Sequence, residues 1–260
     1  MFIDAHAHLD HPSFHEDVEQ VIERAKKAGV GIIVANGVNP ETNRRVLELA
    51  KKYAIVKAAL GIYPIEALQQ EIKEGEYPLK PNVFDVNEEI DFIRKQKNHI
   101  VGIGECGLDD HHVQGKLESQ KKVFEKMIGL AEQVKKPIIV HSRKAEQEVL
   151  DMLISSRIKK VLLHCFSGNM KQVKQGEEEG YYFSIPANVT FSTHFQEMVK
   201  RININQLLTE TDCPYLSPFK GQRNEPAFVV ESTKKIAELK GFTLEETENN
   251  IMMNYKTLFQ

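Results

Sequence analysis

Eight short apolar segments, separated by amphipathic ones, predict a parallel α/β fold. The apolar segments are rich in Val, Ile and Leu, as strands that are covered on both faces usually are. They span residues 2–4, 31–35, 57–60, 100–104, 137–140, 160–163, 182–185 and 207–209. Eight strand–helix units in a chain of 260 residues predict an α/β protein with one (β/α)8 TIM-type barrel domain over residues 1–260.

Periodic apolar residues predict helices between several of these strands. In residues 17–28, Val18, Val21, Ile22 and Ala25 recur at helical spacing. Comparable patterns cover residues 40–53, 118–134, 145–155, 226–239 and 243–259. Residues 65–87 are polar and contain two prolines, so we expect a long loop or insertion there. An open, doubly wound sheet is the alternative architecture, but no phosphate-binding loop follows the first strand, where that fold usually carries one.

Composition limits the classes of function. The net charge is −3, which excludes a global basic field for nonspecific nucleic-acid binding, so a phosphate-bearing substrate would need local cations or metal ions. We find no secretory signal and no apolar run of about 20 residues that could span a membrane. The three cysteines form no CxxC pair. These features predict a cytoplasmic protein without disulfides and without a membrane partner.

Polar residues stand at the ends of the predicted strands. They are His6, His8, Glu105, His141, His164 and Asp212. The C-terminal ends of all barrel strands face one mouth, so we expect these side chains to converge there. Alternation along an extended chain places His6 and His8 on the same side. Imidazole and carboxylate ligands without thiolate suit Zn, Mn, Co or Fe(II), and also Mg if water completes its shell.

Each of these residues also has an ordinary structural interpretation. A bare HxH can be a polar strand end, His141 alone can be a satisfied core histidine, and Glu105 or Asp212 can be a cap or an ion-pair partner. Their conjunction favours a metal centre. In such a centre Glu105 has two oxygens and can bridge two ions, whereas Asp212 can bind one ion or accept the proton of an attacking water.

The neighbours of these residues carry weaker signals. Cys106, Cys165 and Cys213 each follow a predicted ligand, and we expect them to point away from the mouth as small buried residues. His11 follows after the first strand has ended, so alternation does not place it with His6 and His8. We expect it to be a bystander.

Two divalent ions at one mouth indicate hydrolysis, because they activate a water and neutralise charge on substrate oxygens. Phosphodiesters fit such a centre well. Candidate substrate-binding residues are Arg143 after His141, Ser167 after His164, and Arg223 with Asn224 near the last helices. A solvated loop or an exposed helix start is the alternative interpretation for both arginines.

Seven segments, in this order, resemble the TatD family of metal-dependent hydrolases in the amidohydrolase-like group of barrels. They are FIDAHAHLD, LGIYP, GIGECGLD, PIIVHSRKA, LLHCFSG, ETDCPYLSP and RNEP. The resemblance implies a distorted TIM-type barrel and a 3′–5′ deoxyribonuclease that uses two divalent metal ions (Mg, Mn or Zn). It implies one ion at His6, His8, Glu105 and Asp212 and the other at Glu105, His141 and His164, with Glu105 and Asp212 as catalytic residues.

The LGIYP segment departs from the family pattern, which usually reads GIHP with a histidine near the substrate. Tyr63 stands at that position here and is a further candidate substrate-binding residue, but a phenol donates one hydrogen bond and carries no positive charge. Beyond Asp109 the chain has His111 and His112, which we expect to be a surface pair. This departure makes a changed substrate preference a serious alternative.

We expect DNA or another phosphodiester as substrate, no obligate protein partner and a monomer. The alternatives are an amide, lactone or aminoacyl-ester hydrolase of the same superfamily and a noncatalytic metal-binding protein.

Overall fold

The computed structural model describes residues 1–68 and 83–260. Eight parallel strands pair in chain order within one sheet, which confirms the predicted (β/α)8 barrel. The strands are β1 (Phe2–Ala7), β2 (Val30–Gly37), β3 (Val56–Leu60), β4 (Ile100–Asp109), β5 (Ile138–Arg143), β6 (Val161–His164), β7 (Tyr182–Ile185) and β8 (Leu207–Thr209). Their C-terminal ends carry the polar residues singled out above.

Helices follow or flank the strands in the described ranges. They are α1 (Val18–Lys27), α2 (Pro40–Lys52), α3 (Val86–Lys95), α4 (Leu117–Val134), α5 (Glu146–Ser155), α6 (Met170–Glu178), α7 (Thr193–Arg201), α8 (Val229–Lys240) and α9 (Leu244–Phe259). No helix in these ranges is long and apolar enough to cross a membrane.

Three helices, α3, α6 and α7, lie where the apolar pattern predicts none. Each begins at a polar cap: Asp85 before α3, Asn169 before α6 and Ser192 before α7 accept hydrogen bonds from the first turn. The predicted loop over residues 65–87 is therefore wrong at its C-terminal end, which enters α3. Residues 69–82 of that loop lie outside the described residues.

The barrel interior is packed with apolar side chains from alternate positions of most strands. These are Ile3, Ala5, Val34, Ala59, Ile139, Leu162 and Leu208, and they form one buried cluster with Ile251, Tyr255, Leu258 and Phe259 of α9. Helix α9 thus packs across the N-terminal end of the barrel, opposite the mouth. Apolar packing at this end leaves the mouth as the place for polar chemistry.

Strands β1 and β8 meet through specific hydrogen bonds that close the barrel. The Thr209 hydroxyl donates to the Ile3 carbonyl at 2.6 Å, and the Asp212 N–H donates to the His6 carbonyl at 3.0 Å. Buried Asp4 accepts from both the N–H and the hydroxyl of Thr211, at 2.9 and 2.6 Å. Burial raises the pKa of Asp4 to about 8. Closure therefore connects the segment of His6 to the segment of Asp212.

Irregularities in β1 and β4 coincide with the polar residues. The register of β1 against β2 shifts between Asp4 and Ala7, and that of β4 against β5 shifts between Ile103 and Cys106. His6 and Glu105 lie in these intervals, so they sit within longer strands than predicted, rather than after them. Such irregularities re-aim side chains without ending the strand.

The sequence GIGECG over residues 102–107 has the glycine spacing of a dinucleotide-binding loop, but all six residues lie within β4. In dinucleotide-binding proteins this spacing forms the turn from a strand to a helix, whereas here it forms part of a strand. At Gly107 the backbone has φ 145°, and a Cβ atom there would clash with the carbonyl of His141. Glycine allows β4 to approach β5 closely beside two of the polar residues.

Candidate metal centre

Glu105 lies at the centre of the barrel mouth, and its two carboxylate oxygens face different histidines. Oε1 lies 3.0 Å from His141 Nδ1 and 3.0 Å from His164 Nε2. Oε2 lies 3.4 Å from His6 Nε2 and 3.2 Å from His8 Nε2. The nearly inaccessible carboxylate of Glu105 thus lies between two pairs of imidazole rings.

Asp212 adds a second carboxylate on the side of His6 and His8. Its Oδ1 lies 3.7 Å from His6 Nε2 and 3.5 Å from His8 Nε2. The residue adopts a left-handed backbone with φ 53°, a conformation that costs a non-glycine residue energy and is held by its surroundings. Its N–H bond to the His6 carbonyl contributes to that constraint.

The donor atoms have the spacing that divalent cations require. His6 Nε2 and His8 Nε2 are 3.2 Å apart, and His141 Nδ1 and His164 Nε2 are 3.4 Å apart. Adjacent ligands at about 2.0–2.2 Å from one ion lie roughly 2.8–3.1 Å from each other in octahedral geometry and roughly 3.3–3.6 Å in tetrahedral geometry, and the observed separations fall within this overall span. Donors in three overlapping groups lie within 4.8 Å of one another: His6, His8 and Glu105; Glu105, His141 and His164; His6, His164 and Asp212. The residues therefore fit a metal centre.

The charge states of Glu105 and His6 suit cation binding, whereas a cation at His8 must displace a proton. Burial would raise the pKa of Glu105, but His164, His141 and His6 hold that pKa well below its usual range. Burial lowers the pKa of His6 to about 4, which leaves its ring neutral. Burial also opposes charge on His8, yet Asp212 and Glu105 raise its pKa well above the usual value. Cations compete with such protons for the ring nitrogens.

A carboxylate that the sequence analysis did not select orients His141. Asp109 is fully buried at the end of β4, and its Oδ2 lies 3.0 Å from His141 Nε2. The ring nitrogen of His141 that faces Glu105 is the other one, Nδ1, so the two carboxylates hold the ring from both sides. Glu105, Gly107 and Asp109 occupy every second position of β4, so they lie on the same face of the strand. This shared face is the sequence signal from which Asp109 could have been predicted.

Tyr63 and His112 contact the same oxygen of Asp109. The Tyr63 hydroxyl lies 3.3 Å from Asp109 Oδ2 and 3.3 Å from His141 Nε2. His112 Nδ1 lies 2.8 Å from Asp109 Oδ2, while the backbone N–H groups of His111 and His112 donate to Oδ1. The expected surface pair is therefore partly wrong, because His112 belongs to the surroundings of His141.

Two further contacts surround the other histidines. His8 Nδ1 lies 3.2 Å from the backbone carbonyl oxygen of Asn36. Buried Glu210 lies with Oε2 3.7 Å from His164 Nδ1 and accepts from the Ser184 hydroxyl at 2.5 Å. Glu210 is not among the predicted site residues, because it stands only two residues before Asp212 in a polar segment.

The candidate substrate residues divide into two groups. Exposed Arg143 and Ser167 line a cavity of about 340 Å³ at the C-terminal ends of β5 and β6, together with Lys144 and Gly168. Within this cavity Ser167 donates to Glu146 at 2.7 Å. Arg143 stands two residues after His141 in β5, and Ser167 stands three residues after His164, the last residue of β6.

Arg223 and Asn224 differ from the predicted substrate contacts. Arg223 donates to both oxygens of Asp17, at 3.0 and 2.6 Å, and its guanidinium lies over the Phe14 ring. Asn224 is fully buried and donates to the carbonyls of Thr211 and Tyr215. Because their polar groups are used in these contacts, the two side chains hold the loop after β8 in place.

The expected packing of the cysteines is seen at two positions. Cys106 and Cys213 are buried, and Cys165 is partly exposed. Burial raises the pKa of all three thiols well above its usual value, which suits small packing residues rather than thiolate ligands.

Comparison with known proteins agrees with this geometry. Residues 3–260 match the family model described as TatD related DNase. The chain belongs to the TatD family. It is 36% identical to the uncharacterized metal-dependent hydrolase YabD of Bacillus subtilis, over 100% of this chain and 99% of YabD. It is 34% identical to deoxyribonuclease TATDN3 of Homo sapiens, over 99% of this chain and 94% of that protein.

A solved structure extends the TatD relationship to the fold. The crystal structure of the TatD homologue YjjV from Escherichia coli superposes with a TM-score of 0.87 at 27% sequence identity, and the match covers 99% of this chain and 97% of YjjV. The protein is therefore a metal-dependent hydrolase of the TatD family with the family's barrel.

Proposed function

We propose that this TatD-family protein is a phosphodiesterase that hydrolyses DNA, acting as a 3′–5′ deoxyribonuclease with two divalent ions. The observation that carries the proposal is the placement of Glu105, which turns one oxygen to His6 and His8 and the other to His141 and His164. A bridging carboxylate between two donor sets is typical of two-metal hydrolases. The deoxyribonuclease name of the TATDN3 relative supports DNA as the substrate.

In this proposal His6, His8, Asp212 and Glu105 would hold one ion, and His141, His164 and Glu105 would hold the other. Mg, Mn or Zn bound there would lower the pKa of a water and neutralise charge that develops on the phosphate oxygens. The protein contributes a fixed, largely buried set of metal-donor atoms. Asp109 and Asn36 support this arrangement because they orient the rings of His141 and His8.

Asp212 is the carboxylate placed to accept the proton of the attacking water. Its side chain is 15% exposed, whereas that of Glu105 is 3% exposed, so Asp212 is the acid that substrate and water can reach. Burial would raise the pKa of Asp212, but His8, His164 and His6 lower it, so the carboxylate is ionised at neutral pH. An ionised carboxylate within reach of the water can take its proton as the water oxygen bonds to phosphorus and the bond from phosphorus to the leaving sugar oxygen breaks.

Arg143 and Lys144 supply positive charge for the phosphate backbone on the side of His141. Both line the 340 Å³ cavity at the C-terminal ends of β5 and β6, and Arg143 is exposed. The guanidinium can bind a phosphate with two parallel hydrogen bonds. Local cations of this kind are needed because the chain as a whole has a net charge of −3.

The test uses purified protein loaded with Mg, Mn or Zn and single-stranded oligonucleotides labelled at either end. We expect a ladder of products shortened from the 3′ end. Glu105→Gln and Asp212→Asn are expected to lower kcat by about 10²-fold or more, because each removes a charge from the centre. Glu118→Gln is the matched control, since the Glu118 side chain is 84% exposed on α4.

Two outcomes would replace the proposal. If the loaded protein cleaves an amide, lactone or aminoacyl ester but no DNA, the carbonyl-hydrolase alternative stands. If it binds metal but hydrolyses none of these substrates, it is a noncatalytic metal-binding protein. Cytoplasmic location and a monomeric state stay predictions.

A further inference from the structure

Tyr215 is a large aromatic residue that stays open to solvent beside the metal centre. Its side chain is 50% exposed, although the residue lies only three positions after Asp212. An exposed phenol ring next to a catalytic centre offers a flat aromatic face on which a planar group of a substrate can stack. Neither the fold nor the hydrolytic centre described above uses this ring.

The backbone of Tyr215 is fixed at three points around the centre. Its N–H donates to the Asp212 carbonyl at 3.0 Å, and its own carbonyl accepts from the buried Asn224 side chain at 2.6 Å. Two residues earlier, the Cys213 carbonyl accepts from the His8 N–H at 2.9 Å. The backbone segment that carries the ring is therefore held in place relative to His8 and Asp212.

His11 packs against the Tyr215 ring from the side. The ring centroids are 5.6 Å apart and the planes are at 78°, so His11 supports the phenol without covering it. His11 is itself held, because its Nδ1 lies 2.8 Å from the Ser13 hydroxyl and accepts from the Ser13 N–H. His11 thus supports the Tyr215 ring, although the sequence predicts that His11 is a bystander.

The two sides of the mouth differ in chemistry. Tyr215 and His11 flank the side of His8 and Asp212, whereas Arg143 and Lys144 line the cavity on the side of His141. The phosphates of a nucleic acid bind to cationic side chains, and the flat, uncharged faces of its bases stack on aromatic rings. A single strand that binds across the centre would contact both sides of the mouth.

We infer that Tyr215, supported by His11, is a stacking site for the nucleobase next to the scissile phosphodiester of a single-stranded substrate. This inference rests on the proposed DNA-hydrolysing function. It also explains how a chain without a global basic field selects nucleic acid, because every base offers a face to the ring. Duplex DNA keeps its internal bases stacked on each other and cannot use the site without unstacking.

The test compares a single-stranded oligonucleotide with a strand of equal length in which stable tetrahydrofuran units replace the nucleosides. Wild-type protein is expected to cleave the base-carrying strand with the higher kcat/KM. Tyr215→Ala is expected to lower kcat/KM for that strand by about 5- to 150-fold and to bring the ratio between the strands close to one. Tyr215→Phe keeps the ring and should keep the ratio, whereas Tyr215→Leu should lose it.

Phe242→Ala is the matched control, because Phe242 is a 39% exposed aromatic residue just after α8, where its N–H donates to the Ala237 carbonyl. Binding of the two strands to the Glu105→Gln protein, with and without Tyr215→Ala, measures stacking separately from turnover. Failure of the wild-type protein to cleave any strand, with Tyr215-dependent binding retained, overturns the nuclease proposal but not the stacking site. Normal cleavage with an unchanged ratio in Tyr215→Ala, or an equal loss on both strands, overturns the stacking site.

Discussion

At the scale of single residues, Asp109 shows how the centre is kept in position. One of its oxygens is shared by His141, Tyr63 and His112, and the other accepts two backbone N–H groups. Burial would raise the pKa of Asp109, but His141 and His112 lower it, so the group remains a carboxylate. An ionised, fully hydrogen-bonded carboxylate fixes the orientation of the His141 ring.

Asp109→Asn is expected to weaken metal binding at the position of His141 by about 10- to 100-fold, because the amide cannot supply the same charged acceptor. Equilibrium dialysis or titration calorimetry with Mn or Zn measures the effect. Tyr63→Phe removes a neutral hydroxyl but no charge and is expected to change the affinity less. An unchanged affinity in Asp109→Asn would show that the His141 ring is held by other contacts.

The residues that the sequence predicts for the mouth are those that follow apolar strands, and the structure brings all six of them together. His6 and His8 are recognisable by alternation, and Glu105 and His141 by their place in β4 and β5. Asp109 is less recognisable, because it is the last residue of β4 and a polar residue at a strand end is also common before an ordinary turn. The contact of His112 depends on the fold of the loop after β4, which no local pattern specifies.

At the scale of elements, a network of ion pairs ties α1 to the loop after β8. Arg223 donates to Asp17 just before α1, and Arg24 within α1 donates to Glu225 at 2.9, 3.0 and 2.6 Å. Arg24 also lies 3.5 Å from Asp17. These contacts fix the loop that carries Tyr215 against the first helix.

The Asp17 pair predicts a pH dependence of stability. The hydrogen bond and charge of Arg223 hold the pKa of Asp17 below its ordinary value of 3.8. The pair therefore contributes stability that is fully present above pH 3.8 and is lost as pH falls below that value. We expect Asp17→Asn to lower the free energy of unfolding at pH 7 by more than it does near pH 3.

Urea denaturation at both pH values measures this difference. Glu16→Gln is the neighbouring control, because Glu16 is exposed and lies outside the ion pairs of the described residues. An equal effect of Asp17→Asn at pH 7 and pH 3 would contradict a charge-based contribution.

Strand and helix positions are predictable to different degrees. Buried strands such as β6 and β8 have continuous apolar runs, and the sequence places them within one residue of the observed bounds. Short helix α6 buries only Val173 and Gly176, so it has almost no apolar period to detect. It is specified instead by the Asn169 capping box and by packing against the barrel.

At the scale of the whole molecule, α9 fills the N-terminal end of the barrel. Its fully buried Leu258 packs with Ile3, Ala5 and the other inward-facing strand residues. Leu258→Ala is expected to lower the free energy of unfolding by about 2–5 kcal/mol, because it leaves a cavity inside the barrel. Urea denaturation is the measurement.

Met253→Ala is the control on the same helix, since Met253 is 62% exposed. We expect a change of less than about 0.5 kcal/mol for it. A small effect of Leu258→Ala would mean that α9 is not needed to complete the barrel core.

The centre connects the strands that are farthest apart in the chain, so metal should stabilise the whole barrel. Its donors come from β1, β4, β5, β6 and the segment after β8. At about 100-fold excess over Kd, a bound ion contributes about 2.7 kcal/mol, which raises Tm by roughly 5–10 °C in a protein of this size. Calorimetry before and after chelation measures the shift.

In Glu105→Gln the shift is expected to be much smaller, because the shared carboxylate of both donor sets is lost. Glu118→Gln is the matched surface control. A full shift in Glu105→Gln would place the stabilising ion elsewhere in the protein.

The contact between His8 and Asp212 has a consequence for the order of events during synthesis. His6 and His8 leave the ribosome before their acidic partner Asp212, which follows after about 200 further residues, or roughly 10–40 s at ordinary elongation rates. Until then the nascent chain carries these two histidines without Asp212 and a barrel without its last strand. The donor set that includes Asp212 is therefore complete only after β8 has been translated, whereas Glu105, His141 and His164 are all present earlier.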